Sequence, residues 1–155
     1  MTAIVPATPA DLAAVLALLE RSRLPVAGVA AQVSSILVAR DGAQVVGSAA
    51  LEMYGTSALL RSVAVDADRR GQGLGRELGT AALALAASRG VHTVYLLTET
   101  APDFFARLGF SRLSREAVSA EVRQSIEFRE ACPASAVCMV LSLRQLPSPA
   151  SVKPA

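Results

Sequence analysis

The hydrophobic and polar positions change period several times along the chain, and each change marks an element. Residues 3–5 predict a short first strand. Thr8-Pro9-Ala10-Asp11 has the form of a helix start, with Thr8 at the N-cap and Pro9 where its missing N–H does no harm. Leu12, Val15, Leu16 and Leu19 follow at helical spacing. Pro25 and Gly28 break the pattern over 21–34, with a short helix expected at 29–33. Residues 35–39 read as a strand, Asp41-Gly42 as a two-residue hairpin turn, and 45–53 as the returning strand. Gly55-Thr56 turns the chain into a third strand at 58–65. After a glycine-rich turn, the alanine and leucine content of 75–89 predicts a helix stopped by Gly90. A strand at 94–98 follows, then a short helix at 102–108 ended by Gly109, a segment at 110–113, a short helix at 119–125, and a last strand at 137–143.

Three consecutive antiparallel strands thus precede the glycine turn, and strands and helices alternate beyond it. The expected fold is α/β (α+β): one domain over 1–143, with a mixed, mostly antiparallel sheet flanked by helices. Residues 144–155, with Pro147, Pro149 and Pro154, are expected to form a disordered tail.

Composition narrows the function. A chain of 155 residues fits one domain, and 52% hydrophobic against 18% charged residues excludes disorder for most of it. Aromatics are only 4%, so the core is built from small side chains. No uncharged run reaches the ~18–20 residues a membrane span needs, and the apolar run 78–88 stops at Arg89. Residues 1–6 lack the basic and apolar regions of a signal peptide, so a cytoplasmic protein is expected. A net charge of +2, from 15 basic and 13 acidic residues, is far from a nucleic-acid-binding footprint. Cys132 and Cys138 make no disulfide framework.

Residues 63–76, Val-Ala-Val-Asp-Ala-Asp-Arg-Arg-Gly-Gln-Gly-Leu-Gly-Arg, carry most of the functional information. A strand ends, glycines follow, and a helix begins. Such a turn aims several N–H groups at one spot, and the helix N-terminus adds partial positive charge. With Arg69, Arg70 and Arg76 around it, a phosphate-bearing ligand is the natural occupant. A P-loop is excluded, because no Gly-Lys-Ser/Thr opens the helix. Gly73, Gly75 and Gly79 approximate a dinucleotide fingerprint, with Glu99 further on, but the third glycine comes one residue late. That turn also follows an antiparallel meander.

Arg70-x-x-Gly73-x-Gly75 resembles the coenzyme A pyrophosphate loop of the GNAT acetyltransferases, and Phe104-Phe105-Ala106-Arg107-Leu108-Gly109-Phe110 resembles their short helix and Gly-Phe turn. Residues 96–110 look like the acetyltransferase domain of N-acetylglutamate synthases. Together with 59–65 and 132–139, they are similar to GNAT enzymes of arsenic-resistance operons. The resemblance implies acetyl-CoA as co-substrate, held by Arg70, Gly71, Gln72, Gly73, Leu74, Gly75 and Arg76 and by the strand Val63, Ala64, Val65. It implies that this strand splays from the next one, with the Val65 N–H near the thioester oxygen. The acceptor would be a small amino-acid-like or organoarsenical amine, attacking directly in a ternary complex.

Two positions depart from the family. Phe105 stands where many members have a tyrosine acid, and Leu59 where the synthases have a glutamate base. Thr98 falls where those synthases place a serine hydroxyl, making it the first choice for proton donor, although a strand-end threonine also bonds to nearby backbone. Glu52 and Glu99, or a water relay, are candidates for the base. His92 reads as a surface residue.

Strand alternation puts Arg61 on the face of Leu59, Val63 and Val65. There it would grip a substrate carboxylate, with Ser62 and Ser135 as further acceptor contacts, or pair with Glu52. The cysteines read as buried apolar residues, a two-thiol metalloid site being the alternative, and no metal is expected. Where the synthases have an arginine before Asn-Ser, this chain has Pro133-Ala134-Ser135, so glutamate should be a poor acceptor. A protein N-terminal acetyltransferase, a silent acetyl-CoA-binding regulator and an NADP-dependent reductase remain as alternatives, and a homodimer is left open.

Overall fold

The longest strand shows why the sheet must be covered on both sides. Along β3 (Gln44–Tyr54), residues 45–52 are all buried, with no polar alternation, as expected of a strand sandwiched between layers. The structure, a computed structural model that describes residues 2–131 and 134–143, puts β3 in a seven-stranded sheet of order β1-β2-β3-β4-β5-β7-β6. The other strands are β1 (Thr2–Pro6), β2 (Ile36–Asp41), β4 (Ser57–Val65), β5 (Thr93–Thr98), β6 (Ser111–Arg112) and β7 (Val137–Ser142). Among the described residues, only β4 and β5 pair parallel; every other neighbouring pair is antiparallel. The mixed, mostly antiparallel sheet flanked by helices is the architecture the sequence predicts.

Helix α1 (Leu12–Arg21) follows a single 3₁₀ turn, Pro9–Asp11. The Thr8 N–H donates to Asp11 Oδ2 at 2.7 Å, and Arg40 closes on the same oxygen at 2.6 Å, tying the helix start to β2. Val15, Leu18 and Leu19 bury against Ile36, Val38 and Ala50 on one face of the sheet. On the opposite face, α2 (Leu74–Ser88) buries Leu78, Ala82, Leu83 and Ala86 against Val46, Ala49, Leu51 and Leu60. Its approach to β3 is so close that a Cβ at Gly47 would lie 2.7 Å from Leu78 Cδ1. Helix α3 (Pro102–Arg107) joins this second core through Phe105. Helix α4 (Ala120–Arg123) packs Val122 with Leu59, Tyr95 and Cys138 in a third cluster. Among the described residues, no helix is long and apolar enough to cross a membrane.

Several boundaries move. The hairpin turn is Gly42-Ala43, since Asp41 pairs with Gln44 and Gly42 takes φ +63°. The helix expected at 29–33 is the 3₁₀ segment Ala30–Ser35, and the one expected at 119–125 shortens to α4, followed by a π-helical segment, Glu127–Ala131. The tail from residue 144, with Cys132 and Pro133, lies outside the described residues.

One correction changes the site. Alternation along β4 is broken by a bulge at Ser62, which takes φ +60° while the register with β3 shifts between Ser48 and Ala50. Leu59 and Arg61 stay on one face, but Val63 and Val65 pack with the α2 core and Ala64 with the α1 core. Arg61 therefore does not share a face with Val63 and Val65. The Ser48 hydroxyl pins the bulge by donating to the Ser62 carbonyl at 2.7 Å.

Candidate active site

Strands β4 and β5 pair only over Ser57–Leu59 against Thr93–Tyr95, yet β4 runs on to Val65 and β5 to Thr98. Between their unpaired ends opens a cleft of about 450 Å³, lined by Leu60 to Val65 and by Leu96 to Ala101. The bulge at Ser62 lies within this wall. Backbone groups on that edge of β4 have no β5 partner beyond Leu59, leaving them for another bonding partner.

The glycine turn lies at one end of the cleft. The Asp66 N–H anchors it to the Val46 carbonyl at 2.8 Å, and a 3₁₀ turn, Ala67–Arg69, leads into it. Gly71 and Gly73 take φ +81° and +83°, where L side chains are strained, and nothing lies within 4 Å of a Cβ built on either. Gly73 caps α2, so the helix's unpaired N–H groups and positive end face this spot. A hollow of about 280 Å³ lies there, lined by Arg69, Arg70 and Arg76 among others. Arg70 folds back to donate to the Val65 carbonyl at 3.2 Å. Val65, Gly75 and Phe104 line both spaces, so hollow and cleft adjoin. A Cβ at Gly75 would touch the Phe104 ring at 3.4 Å. Gln72 is exposed, and the Leu74 side chain belongs to the core, leaving its backbone to the turn.

At the other end the charges are already engaged. Arg61 is 3% exposed; its Nη1 meets Glu52 Oε2 at 2.8 Å, its Nε meets Glu127 Oε2 at 3.2 Å, and its Nη2 donates to the Pro25 carbonyl at 3.1 Å. The expectation of an Arg61 open to a substrate carboxylate is therefore corrected to a buried ion cluster, with the Glu52 pairing as foreseen in the alternative. Glu52 also accepts from the Tyr54 hydroxyl, and burial with that carboxylate beside it pushes the phenol's pKa up. Both Glu52 oxygens are thus occupied, and Glu52 does not line the cleft, whereas the buried Glu127 does. Sequence reasoning missed Glu127. Its only signal is an acid between Ile126 and Phe128, in a segment without clear periodicity.

Thr98, nearly buried, lines the cleft beside Phe105, and its Oγ1 accepts from the Ala101 N–H at 3.1 Å. That bond uses a lone pair and leaves the hydroxyl proton unspent. Glu99 lines the cleft from an exposed position. Ser62 is at the cleft, with its Oγ 3.3 Å from Arg61 Nε; Ser135 sits in an exposed turn before β7, away from the cleft lining. His92 is half-buried at the start of β5, its N–H bonded to the Thr56 carbonyl at 2.7 Å. Cys138 is buried among apolar side chains, and burial pushes its thiol pKa up. Among the described residues, no cluster of metal-ligating side chains occurs.

Comparisons with known proteins agree with this fold. No curated protein matches the chain. A solved structure of Rv2747 from Mycobacterium tuberculosis, in complex with CoA and NLQ, is 25% identical; the match covers 91% of this chain and 99% of that one, with TM-score 0.78. N-acetylglutamate synthase from Neisseria gonorrhoeae, complexed with coenzyme A and N-acetyl-glutamate, shares the fold at 18% identity and TM-score 0.80. That match covers 92% of this chain, which spans about a third (35%) of the synthase. A GNAT-family acetyltransferase of Staphylococcus aureus Mu50 shares the fold at 13% identity over 92% of this chain and 99% of its own, with TM-score 0.74. The family model described as "Acetyltransferase (GNAT) domain" matches residues 32–112, from the segment before β2 to the end of β6, and the chain belongs to the GNAT acetyltransferase family.

Proposed function

We propose that this protein uses acetyl-CoA to N-acetylate a small, amino-acid-like amine by direct attack in a ternary complex. The observation that carries the reading is the continuity of the two spaces: the anion-ready turn at the head of α2 opens past Val65, Gly75 and Phe104 into the cleft between β4 and β5. The turn fits a pyrophosphate, because Gly71 and Gly73 leave the space of a side chain open beside a helix N-terminus and three arginines.

Bound acetyl-CoA supplies an activated thioester. The chain supplies position and charge. The free edge of β4, Val63 to Val65, offers its N–H groups to the pantetheine amides and, at Val65, to the thioester oxygen. Holding both reactants in one cleft contributes much of the acceleration. Thr98 hands the departing thiolate a proton while regaining the one that the attacking amine releases, a relay for which Phe105 has no hydroxyl. Among the acids, Glu127 replaces Glu52 as the buried carboxylate at the cleft, and Glu99 reaches it only from solvent, suited to a water relay.

The ligands named for Rv2747 and for the synthase support a small acceptor. The similarity to arsenic-resistance enzymes supports an organoarsenical among the candidates, though Cys138 faces the core rather than the cleft. The reading implies a cytoplasmic enzyme, where acetyl-CoA is at hand.

The test is an acceptor screen following free-thiol release from acetyl-CoA with amino acids, simple amines and short peptides. Turnover of amino acids is expected. Turnover of peptides alone would make the protein an N-terminal acetyltransferase; coenzyme A binding without any turnover would make it a regulator. NADPH binding in place of coenzyme A would mean a reductase.

A further inference from the structure

We propose that Arg23, not Arg61, receives the acceptor's carboxylate; the inference rests on the amino-acid reading above. Arg23 ends α1 in a double-bonded cap: its N–H bonds to the Glu20 carbonyl at 3.1 Å and the Leu24 N–H to the Leu19 carbonyl at 2.9 Å. The residue between such bonds is left-handed, and Arg23 takes φ +57°. That place favours glycine, because a Cβ crowds the following carbonyl. Arg23 and Ser62 are the two non-glycine residues with positive φ among the described residues, and both line the β4–β5 cleft. Strain of this kind persists where something offsets it. The fold gains nothing visible from the guanidinium: Arg23 is exposed, and among the described residues its side chain makes no hydrogen bond or ion pair.

The charge inventory leads to the same residue. Among the described residues, Arg23, Arg61, Glu99 and Glu127 are the charged residues of the cleft lining. Arg61 spends its donors on Glu52, Glu127 and Pro25, and turning it toward a ligand would strand two buried carboxylates. Arg23 keeps its planar fork of donors, suited to one carboxylate. Arg61 then acts as a positioning residue: its bond to the Pro25 carbonyl ties the loop carrying Arg23 to the cleft wall.

The test compares L-methionine and L-glutamine with their α-carboxamides as acceptors, using Arg23→Gln, Arg23→Lys and Arg23→Gly. Arg23→Gln is expected to raise KM for the acids about tenfold more than for the amides, the size of a charged hydrogen bond, with little change in KM for acetyl-CoA. Arg23→Lys should recover most of that loss. Arg23→Gly should show the same loss while raising Tm by about 2 °C, because it relieves the left-handed strain. Equal effects of Arg23→Gln on acids and amides, or none on either, would overturn the inference and leave amino-acid acetylation standing. A wild-type protein that acetylates amides, amines or peptides but no carboxylate-bearing amine overturns the amino-acid reading, and the inference falls with it.

Discussion

Arg61 shows how one residue's meaning depends on contacts far away in sequence. From the chain alone it is a charge inside an apolar strand, equally suited to a ligand or to a partner. Folding brings Glu52, nine residues earlier, and Glu127, sixty-six later, onto the same guanidinium. Replacing Arg61 with alanine leaves two carboxylates buried without their cation, so a loss of about 3 kcal/mol of stability is expected. A lowered urea midpoint, with the unfolding slope unchanged, would show it. A variant as stable as the wild type would mean that the cluster is not what holds β3, β4 and the Pro25 loop together. Thr98 has a smaller structural part and a larger chemical one. Thr98→Val removes one bond to the Ala101 N–H, costing about 1 kcal/mol of stability, and removes the proposed proton donor. Its kcat should fall about a hundredfold while KM changes little, because the lost interaction develops with the thiolate charge. Unchanged turnover would take Thr98 out of the mechanism and leave water as the donor.

The turn between β4 and α2 is the element on which acetyl-CoA binding depends in the proposed reading. Gly73→Val forces a β-branched residue into φ +83°, a cost of about 1–2 kcal/mol, and fills the open side of the turn. Gly75→Val drives methyl groups toward Phe104 and Val65, where even a Cβ is already in contact. Both variants should retain the helical circular-dichroism signal and lose coenzyme A affinity in calorimetry by tenfold or more, an effect of about 1.4 kcal/mol. Wild-type affinity in a folded Gly73→Val protein would place the pyrophosphate elsewhere. This turn was legible because local signals write it: a strand run, three spaced glycines and an alanine-rich helix. The hairpin and the succession of elements along the chain were legible for the same reason. The bulge at Ser62 was not, since its cause is the hydroxyl of Ser48 on the neighbouring strand. Alternation carried past that point put Val63 and Val65 on the wrong face. Glu127 stayed hidden because it lies in a short π-helical segment, whose period matches neither helix nor strand, and its role arises only from its contact with Arg61.

Across the whole molecule, charge is divided along the cleft, and in the proposed reading that division governs acceptor choice. Arg69, paired with Asp41 at 2.6 Å, Arg70 and Arg76 line the hollow at the head of α2, where the proposed pyrophosphate would meet them. At the far end the lining holds Glu127 with Arg61 already bound to it, while Glu52 lies just behind Arg61. Among the described residues, Arg23 alone of the cleft's charged side chains is left to meet an incoming anion. An amino acid with a neutral side chain asks for one such cation. Glutamate asks for two, and its second carboxylate would approach a wall that already carries Glu127. A carboxylate taken into a partly dry space without a partner costs more than the about 1–3 kcal/mol that an unpaired neutral polar group costs in protein mutants. Glutamate should therefore show a kcat/KM at least about tenfold below that of glutamine, which has nearly the same shape and no second charge. The comparison is best made at two ionic strengths, because salt screens the exposed Arg23 more than the buried cluster. Raised salt should weaken both acceptors through Arg23 and leave the gap between them largely intact. A preference for glutamate would mean that a second cation reaches the cleft, and that the ion cluster around Arg61 opens when the acceptor binds.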